Sequence, residues 1–164
     1  MILGLSLETF TQAHVVISLI AIVSGLVVLY GALKSQRMPG MTALFLVTTI
    51  LTSVTGFMFP PAAVTPAQIV GAISLLVLAA ALLALYVFGL SRAWRWVYVA
   101  AAVLALYLNV FVLVVQSFQK VPFLHALAPN GSEPAFIVAQ SIVLLVFAWL
   151  GFLAVRRFHP ELHA

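Results

Sequence analysis

The chain has no cysteine and no aspartate among its 164 residues, and only three residues are acidic. Without cysteine there are no disulfides, thiolate metal ligands or cysteine nucleophiles. Without aspartate there is no Ser-His-Asp triad and little material for paired catalytic carboxylates. His14 is the only histidine in an apolar segment, so a transmembrane bis-histidine haem is not predicted either. These absences disfavour an enzyme, predict no metal site and leave any cofactor unknown.

Charge is also scarce, because 6% of the residues are charged and 65% are hydrophobic, with a mean hydropathy of +1.27. Soluble domains carry about 25% charged residues, so this composition is typical of a membrane protein. The pI near 10 does not indicate a nucleic-acid partner, because the basic residues lie in short loops and never form a run. Membrane lipids are the expected surroundings.

Five apolar segments have the length of a membrane span. About 20 residues are needed to cross about 30 Å of hydrocarbon as a helix. The segments that satisfy this are 10–33, 41–59, 66–90, 94–118 and 134–156. The first lacks the basic flank of a cleaved signal peptide, so we predict a retained helix. The sequence thus predicts one all-α domain over 1–164, a bundle of five transmembrane helices.

The basic residues predict how this bundle is oriented. Alternate connections hold six of the seven, whereas the other side holds only Lys120. Cytoplasmic loops carry an excess of Lys and Arg, so we expect the N-terminus outside and the C-terminus in the cytoplasm. The six are Lys34, Arg37, Arg92, Arg95, Arg156 and Arg157.

Helical periodicity places small and polar residues on one stripe of most segments, and such stripes form helix–helix contacts in lipid. Towards the outer end the stripes are polar, whereas towards the cytoplasm they are small and apolar, which predicts a bundle closed at the cytoplasmic end. A polar pocket open to the periplasm would be lined by His14, Thr52, Asn109, Gln116, Glu133 and Gln140. Each has a structural alternative: hydrogen bonding between or within helices for five of them, and a carboxylate at a helix N-terminus for Glu133.

The stretch 105–122, which contains Asn109 and Gln116, and the later Ser132-Glu133-Pro134 resemble a group of small uncharacterised inner-membrane proteins of proteobacteria. The similarity extends through most of the chain, including 48–56. It implies location in a bacterial inner membrane. It implies no activity, cofactor or functional residue.

Three functional hypotheses follow from the sequence. The first is a membrane protein whose periplasmic pocket binds a small or amphiphilic ligand, such as a lipid or a quinone. The second is a homo-oligomeric channel or transporter, in which the path runs between protomers. The third is an accessory subunit of a larger membrane complex.

Overall fold

A computed structural model describes residues 2–60 and 65–160, and its regular structure is helical. Five helices are long and apolar enough to cross a membrane, which confirms that part of the prediction. A sixth, short helix lies in the loop before the last span. The helices are α1 Leu7–Leu33, α2 Pro39–Gly56, α3 Pro66–Leu82 with a π-helical turn Leu83–Val87, α4 Trp94–Lys120, α5 Pro122–Leu127 and α6 Pro134–Arg157.

Local sequence signals explain where the helices begin. The Ser6 hydroxyl accepts a hydrogen bond from the Thr9 N–H at 3.1 Å and caps α1. At α3, Thr65 and Gln68 form a reciprocal capping box, with distances of 3.2 and 3.0 Å. Proline occupies the first position of α2, α3, α5 and α6, where no backbone donor is lost to the helix. These caps satisfy N–H groups that hydrocarbon cannot.

The first four spans form a closed ring, since α1 packs on α2, α2 on α3, α3 on α4 and α4 on α1. The last span, α6, lies outside this ring against α4 and α1. The connections between the helices lie at two ends of the bundle. The basic end carries the connection 34–38, the connection 88–93 and residues 158–160. The opposite end carries residues 57–60, Thr65 and the connection 121–133.

The small-residue stripes predicted for α1 and α4 are buried, whereas Leu144 and Ala148 of the stripe predicted for α6 are exposed. Ala21 and Gly25 of α1 and Ala105 of α4 are buried. Gly25 brings α1 especially close, because a Cβ there would lie 2.6 Å from Leu106 Cδ1 and 2.8 Å from a ring carbon of Phe45. Close approach over small residues stabilises helix pairs in lipid by van der Waals packing.

The prediction for the other face of α4 is wrong at two positions. Periodicity places Val103 and Phe118 opposite the small-residue stripe, on the side where bulky residues are predicted to meet lipid, but both are buried. The cause is α6, which covers this face. Phe118 packs edge-on against Phe136 with 5.4 Å between ring centroids, and the Cβ position of Gly151 lies 3.1 Å from Val103 Cγ1. Thus α4 contacts helices on both of its sides.

Candidate functional site

Three of the predicted site residues form hydrogen bonds between helices. His14 Nδ1 lies 2.7 Å from the Thr55 hydroxyl, joining α1 to α2. The Asn109 amide donates to Thr49 Oγ1 at 3.2 Å, joining α4 to α2. The Gln140 amide donates to a backbone carbonyl of α4 at 3.1 Å, joining α6 to α4. These bonds belong to three different helix pairs, so they hold the bundle together at three places.

The remaining three lie apart from one another. The Thr52 hydroxyl donates to the Thr48 carbonyl of its own helix at 2.8 Å. Gln116 is half-buried about one turn before the end of α4. Glu133 lies in the connection before α6. The structure therefore does not bring the six residues together around one cavity that it describes, and the periplasmic pocket stays a prediction.

Glu133 stabilises the turn before α6. Its carboxylate accepts hydrogen bonds from the Asn130 N–H at 3.0 Å, the Asn130 amide at 2.9 Å and the Ser132 N–H at 3.0 Å. Ser132 is of a residue type that commonly caps helices, but Glu133 itself is the N-cap residue of α6 and makes no side-chain capping bond. The carboxylate bonds to this turn rather than to the N-terminus of α6, because the turn offers it three donors at once.

These bonds predict a pH response of this turn. Desolvation raises the pKa of Glu133, but the bonds from Asn130 and Ser132 outweigh it, so the pKa lies below its ordinary value of 4.5. A carboxyl with a depressed folded pKa stabilises the fold above its unfolded pKa. We expect the protection of the Asn130 and Ser132 amides, measured as their exchange rates relative to an unfolded chain at the same pH, to stay high above pH 4.5. It should fall as the pH drops through the lowered pKa. Glu133→Gln should show low protection at every pH, and protection in the unaltered protein that does not change with pH would contradict this.

The larger of the two cavities described lies at the basic end and has a volume of about 60 Å³. It opens between the α1–α2 connection, the end of α3 and the first turns of α4. Its apolar lining includes Val28, Ala32, Leu85, Leu90 and Phe158. Its polar lining consists of Gln36, Arg37, Thr42, Tyr86 and Tyr98. The loops of this end bring polar groups to helix faces that are small and apolar deeper in the bundle.

Two buried hydroxyls form the floor of this cavity. Thr42 and Tyr98 are both about 5% exposed, and their oxygens lie 3.3 Å apart. That distance is longer than the usual 2.7–2.8 Å of a hydroxyl pair. The pair carries two O–H donors, and their mutual contact uses one. The other hydroxyl proton remains free to bind a ligand atom.

One wall of the cavity has an unusual backbone. The α3 helix widens into the π-helical turn 83–87, which ends where Phe88 N–H bonds the Leu83 carbonyl at 2.9 Å. The chain then turns through left-handed φ angles of +55° at Gly89 and +61° at Leu90. Left-handed φ is costly for leucine and is retained where surrounding contacts enforce it. Leu90 is 2% exposed and lines the cavity, so packing holds the strained turn in place.

A smaller cavity of about 10 Å³ continues inward from the first. The two share Val28, Ala32 and Tyr98 as lining residues, and the inner one reaches Leu106 between α1, α2 and α4. About 10–15 Å³ is needed to hold one water, so the inner cavity has room for one atom group at most. None of the six predicted site residues lines either cavity.

The basic end also concentrates charge. It carries Lys34, Arg37, Arg92, Arg95, Arg156 and Arg157. Within residues 2–60 and 65–160 the glutamates, Glu8 and Glu133, both lie at the opposite end. Arg37 is exposed at the rim of the larger cavity, where its guanidinium has no carboxylate of the described chain nearby to pair with. The described charged residues of this end are therefore all basic.

No family model, curated protein or solved structure matches this chain. Its function must be argued from the site itself. Sequence reasoning missed the Thr42–Tyr98 pair, although one signal was present. Thr42 and Tyr98 each lie in the first turns of an apolar helix beside a basic connection, where two hydroxyls at equal depth can meet.

Proposed function

We propose that this chain is a multi-pass protein of a bacterial inner membrane, with its basic end in the cytoplasm, that binds the anionic head group of an amphiphile in the cavity at that end. The distribution of Lys and Arg supports this orientation, and the resemblance described above supports the location. The proposal keeps the amphiphilic ligand expected from the sequence. It moves the site from the periplasmic to the cytoplasmic end.

The observation that carries the proposal is the cavity's combination of an arginine at the rim, a free hydroxyl proton at the floor and apolar walls. Arg37 provides a charged donor for phosphate or carboxylate oxygens. The Thr42–Tyr98 pair provides a second donor on the inner side. Both donors belong to residues that line the same cavity, so an anionic group placed there would be bound from two directions.

The size of the cavity indicates which part of a ligand enters it. Pockets for complete small-molecule ligands have volumes of about 300–1,000 Å³, whereas this one has about 60 Å³. It accommodates a head group and excludes a whole molecule. The acyl chains of an amphiphile would remain in the bilayer, against the exposed apolar side chains of Val87 and Phe88 at the end of α3.

The surrounding charge favours an anionic ligand over a zwitterionic one. Each Lys or Arg near an anionic leaflet contributes about 1 kcal/mol to lipid attraction. Six basic residues at one end, without a glutamate beside them in the described chain, raise the local concentration of anionic lipid. The cavity would then select a head group from that enriched population.

Replacing Arg37 tests the proposal directly. The purified protein would be titrated in nanodiscs with phosphatidylglycerol or phosphatidylcholine and bound lipid counted by native mass spectrometry. We expect Arg37→Gln to weaken phosphatidylglycerol binding by about tenfold, the effect of one lost charged hydrogen bond of about 1.5 kcal/mol. Tyr98→Phe should weaken it by a smaller factor, and phosphatidylcholine binding should change little.

Arg157→Gln is the matched control, because Arg157 is an exposed basic residue of the same end that does not line the cavity. It removes the same charge and should have a smaller effect than Arg37→Gln. Equal effects of the two substitutions would show that only the overall charge attracts the lipid. Equal binding of both lipids by the unaltered protein would overturn the proposal.

A further inference from the structure

The hydrogen bonds of Thr55 fix the tautomer of His14. The Thr55 hydroxyl has one proton, and it donates this proton to backbone carbonyls of its own helix, chiefly that of Leu51 at 2.6 Å. Its contact with His14 Nδ1 at 2.7 Å must therefore be made by the Nδ1–H group. A neutral imidazole with a proton on Nδ1 has none on Nε2. His14 consequently presents Nε2 as a hydrogen-bond acceptor.

One aromatic ring packs against this imidazole and is itself supported by a second. Phe59 meets the His14 ring edge to face, with centroids 5.2 Å apart and an interplanar angle of 87°. Phe59 also packs on Phe10, at 5.1 Å and 62°. Phe10 is buried and His14 is half-exposed, so the phenyl rings lie on the inner side of a histidine whose outer edge is accessible. This arrangement provides an apolar wall beside a single acceptor.

Gly56 leaves the accessible edge of His14 uncovered. A Cβ at Gly56 would lie 3.9 Å from His14 Cε1, the ring carbon between the two nitrogens. Any larger side chain would extend from there over the imidazole. Within the described chain no hydrogen bond reaches Nε2. The acceptor is thus available to a group from outside the protein.

The position of His14 limits what that group can be. His14 lies seven residues into α1, about 10 Å along the helix axis at 1.5 Å per residue. That depth is near the boundary between head groups and hydrocarbon. A ligand there must carry a hydrogen-bond donor and an otherwise apolar, flat body that packs on phenyl rings. Reduced quinones combine a ring hydroxyl with these properties, and oxidised quinones have only acceptors.

We propose that His14 Nε2 accepts a hydrogen bond from the ring hydroxyl of a quinol, whose ring packs against Phe59 at the opposite end of the bundle. Binding is recognition only, and no electron or proton transfer is part of it. This second site is independent of the cavity at the basic end. Because a neutral Nε2 can accept but not donate, the site distinguishes the reduced from the oxidised form of the same molecule.

The tautomer can be observed by ¹⁵N NMR. His125, His159 and His163 would be replaced by glutamine, so that His14 gives the only imidazole signals, and the protein would be studied in nanodiscs at pH 8. We expect a protonated Nδ1 and an unprotonated Nε2. A protonated Nε2 in the neutral ring would overturn the proposal before any ligand is added.

Ligand preference is measured with the same sample and a short-chain benzoquinol under anaerobic conditions. We expect the Nε2 resonance to shift on addition of the quinol and to remain unchanged with the matching quinone. Equal responses to both redox forms would overturn the proposal. A response that instead follows the content of phosphatidylethanolamine or phosphatidylglycerol would assign the donor to a lipid head group and also overturn it.

Two variants separate recognition from folding. His14→Gln should weaken quinol binding by about tenfold, the effect of losing one hydrogen bond together with ring contacts. Thr55→Val keeps the shape of threonine and leaves the imidazole in place, but it removes the hydroxyl that selects one tautomer of His14. In this variant we expect both tautomers to be populated and the affinity for quinol to fall by a smaller factor. His125→Gln is the control, because His125 is exposed on α5; an equal loss in this variant would refute the assignment to His14.

Discussion

Gly25→Ala is expected to destabilise the bundle by about 1–2 kcal/mol. The added Cβ would lie 2.6 Å from Leu106 Cδ1 and 2.8 and 2.9 Å from two ring carbons of Phe45. Both neighbours are fully buried, at 1% exposure each, so neither ring nor methyl group can move away freely. Overpacking of this kind costs about 1–3 kcal/mol. Alanine recovers up to about 1 kcal/mol of that through its better helix propensity.

The measurement is the free energy of unfolding in mixed micelles of mild detergent and SDS, with helix content as the signal. Gly40→Ala is the matched control, because Gly40 is also helical but a Cβ there would meet nothing within 4 Å. It should leave stability unchanged or raise it slightly. If Gly25→Ala is as stable as Gly40→Ala, the close approach of α1 to α2 and α4 is not present.

Phe45→Ala is expected to destabilise the bundle by about 2–3 kcal/mol. Phe45 is 1% exposed and fills the space among α1, α2 and α4 beside the inner cavity. Phe→Ala in a soluble core costs about 3–5 kcal/mol, of which part is transfer of the ring from water. In lipid that part is nearly absent, because the separated helices expose the ring to hydrocarbon rather than water. The loss of packing around the void remains.

Combining the two substitutions tests whether they share one contact. With the Phe45 ring absent, the Cβ introduced by Gly25→Ala enters the void and no longer meets ring carbons. The double variant should therefore lose less stability than the sum of the single variants, a coupling that is expected of residues in contact. Phe57→Ala is the control, because Phe57 is 42% exposed and does not contact Gly25. Additive losses for Gly25 and Phe45 would contradict the packing described.

The spans and most buried stripes could be predicted because the bilayer restricts the alternatives. Backbone groups in hydrocarbon must be paired within the segment, so length and hydropathy alone identify helices. Periodicity then indicates the faces, and Ala21, Ala105 and Thr49 lie buried as expected. Capping at Ser6 and Thr65 depends only on neighbouring residues, so it can also be predicted from the sequence.

What the sequence left undetermined depends on which helices are neighbours. Periodicity alone places Val103 and Phe118 on a lipid-facing side of α4, because it cannot show that α6 packs against that side. The candidate site was affected by the same limit. His14, Asn109 and Gln140 are polar residues in apolar helices, but only the packing shows that each bonds to a different partner helix.

Closure of the ring by α1 to α4 has a consequence for biosynthesis. Every contact that closes it is made once α4 has entered the membrane, because α6 takes no part in those four interfaces. A nascent chain can therefore complete this unit while the last span is still inside the ribosome and translocon. Helix α6 then docks on the surface of the assembled ring. The hydrogen bond from the His159 N–H to the Ser35 hydroxyl at 2.8 Å joins the residues after α6 to the α1–α2 connection. Assembly of the four-helix ring can thus precede the docking of α6.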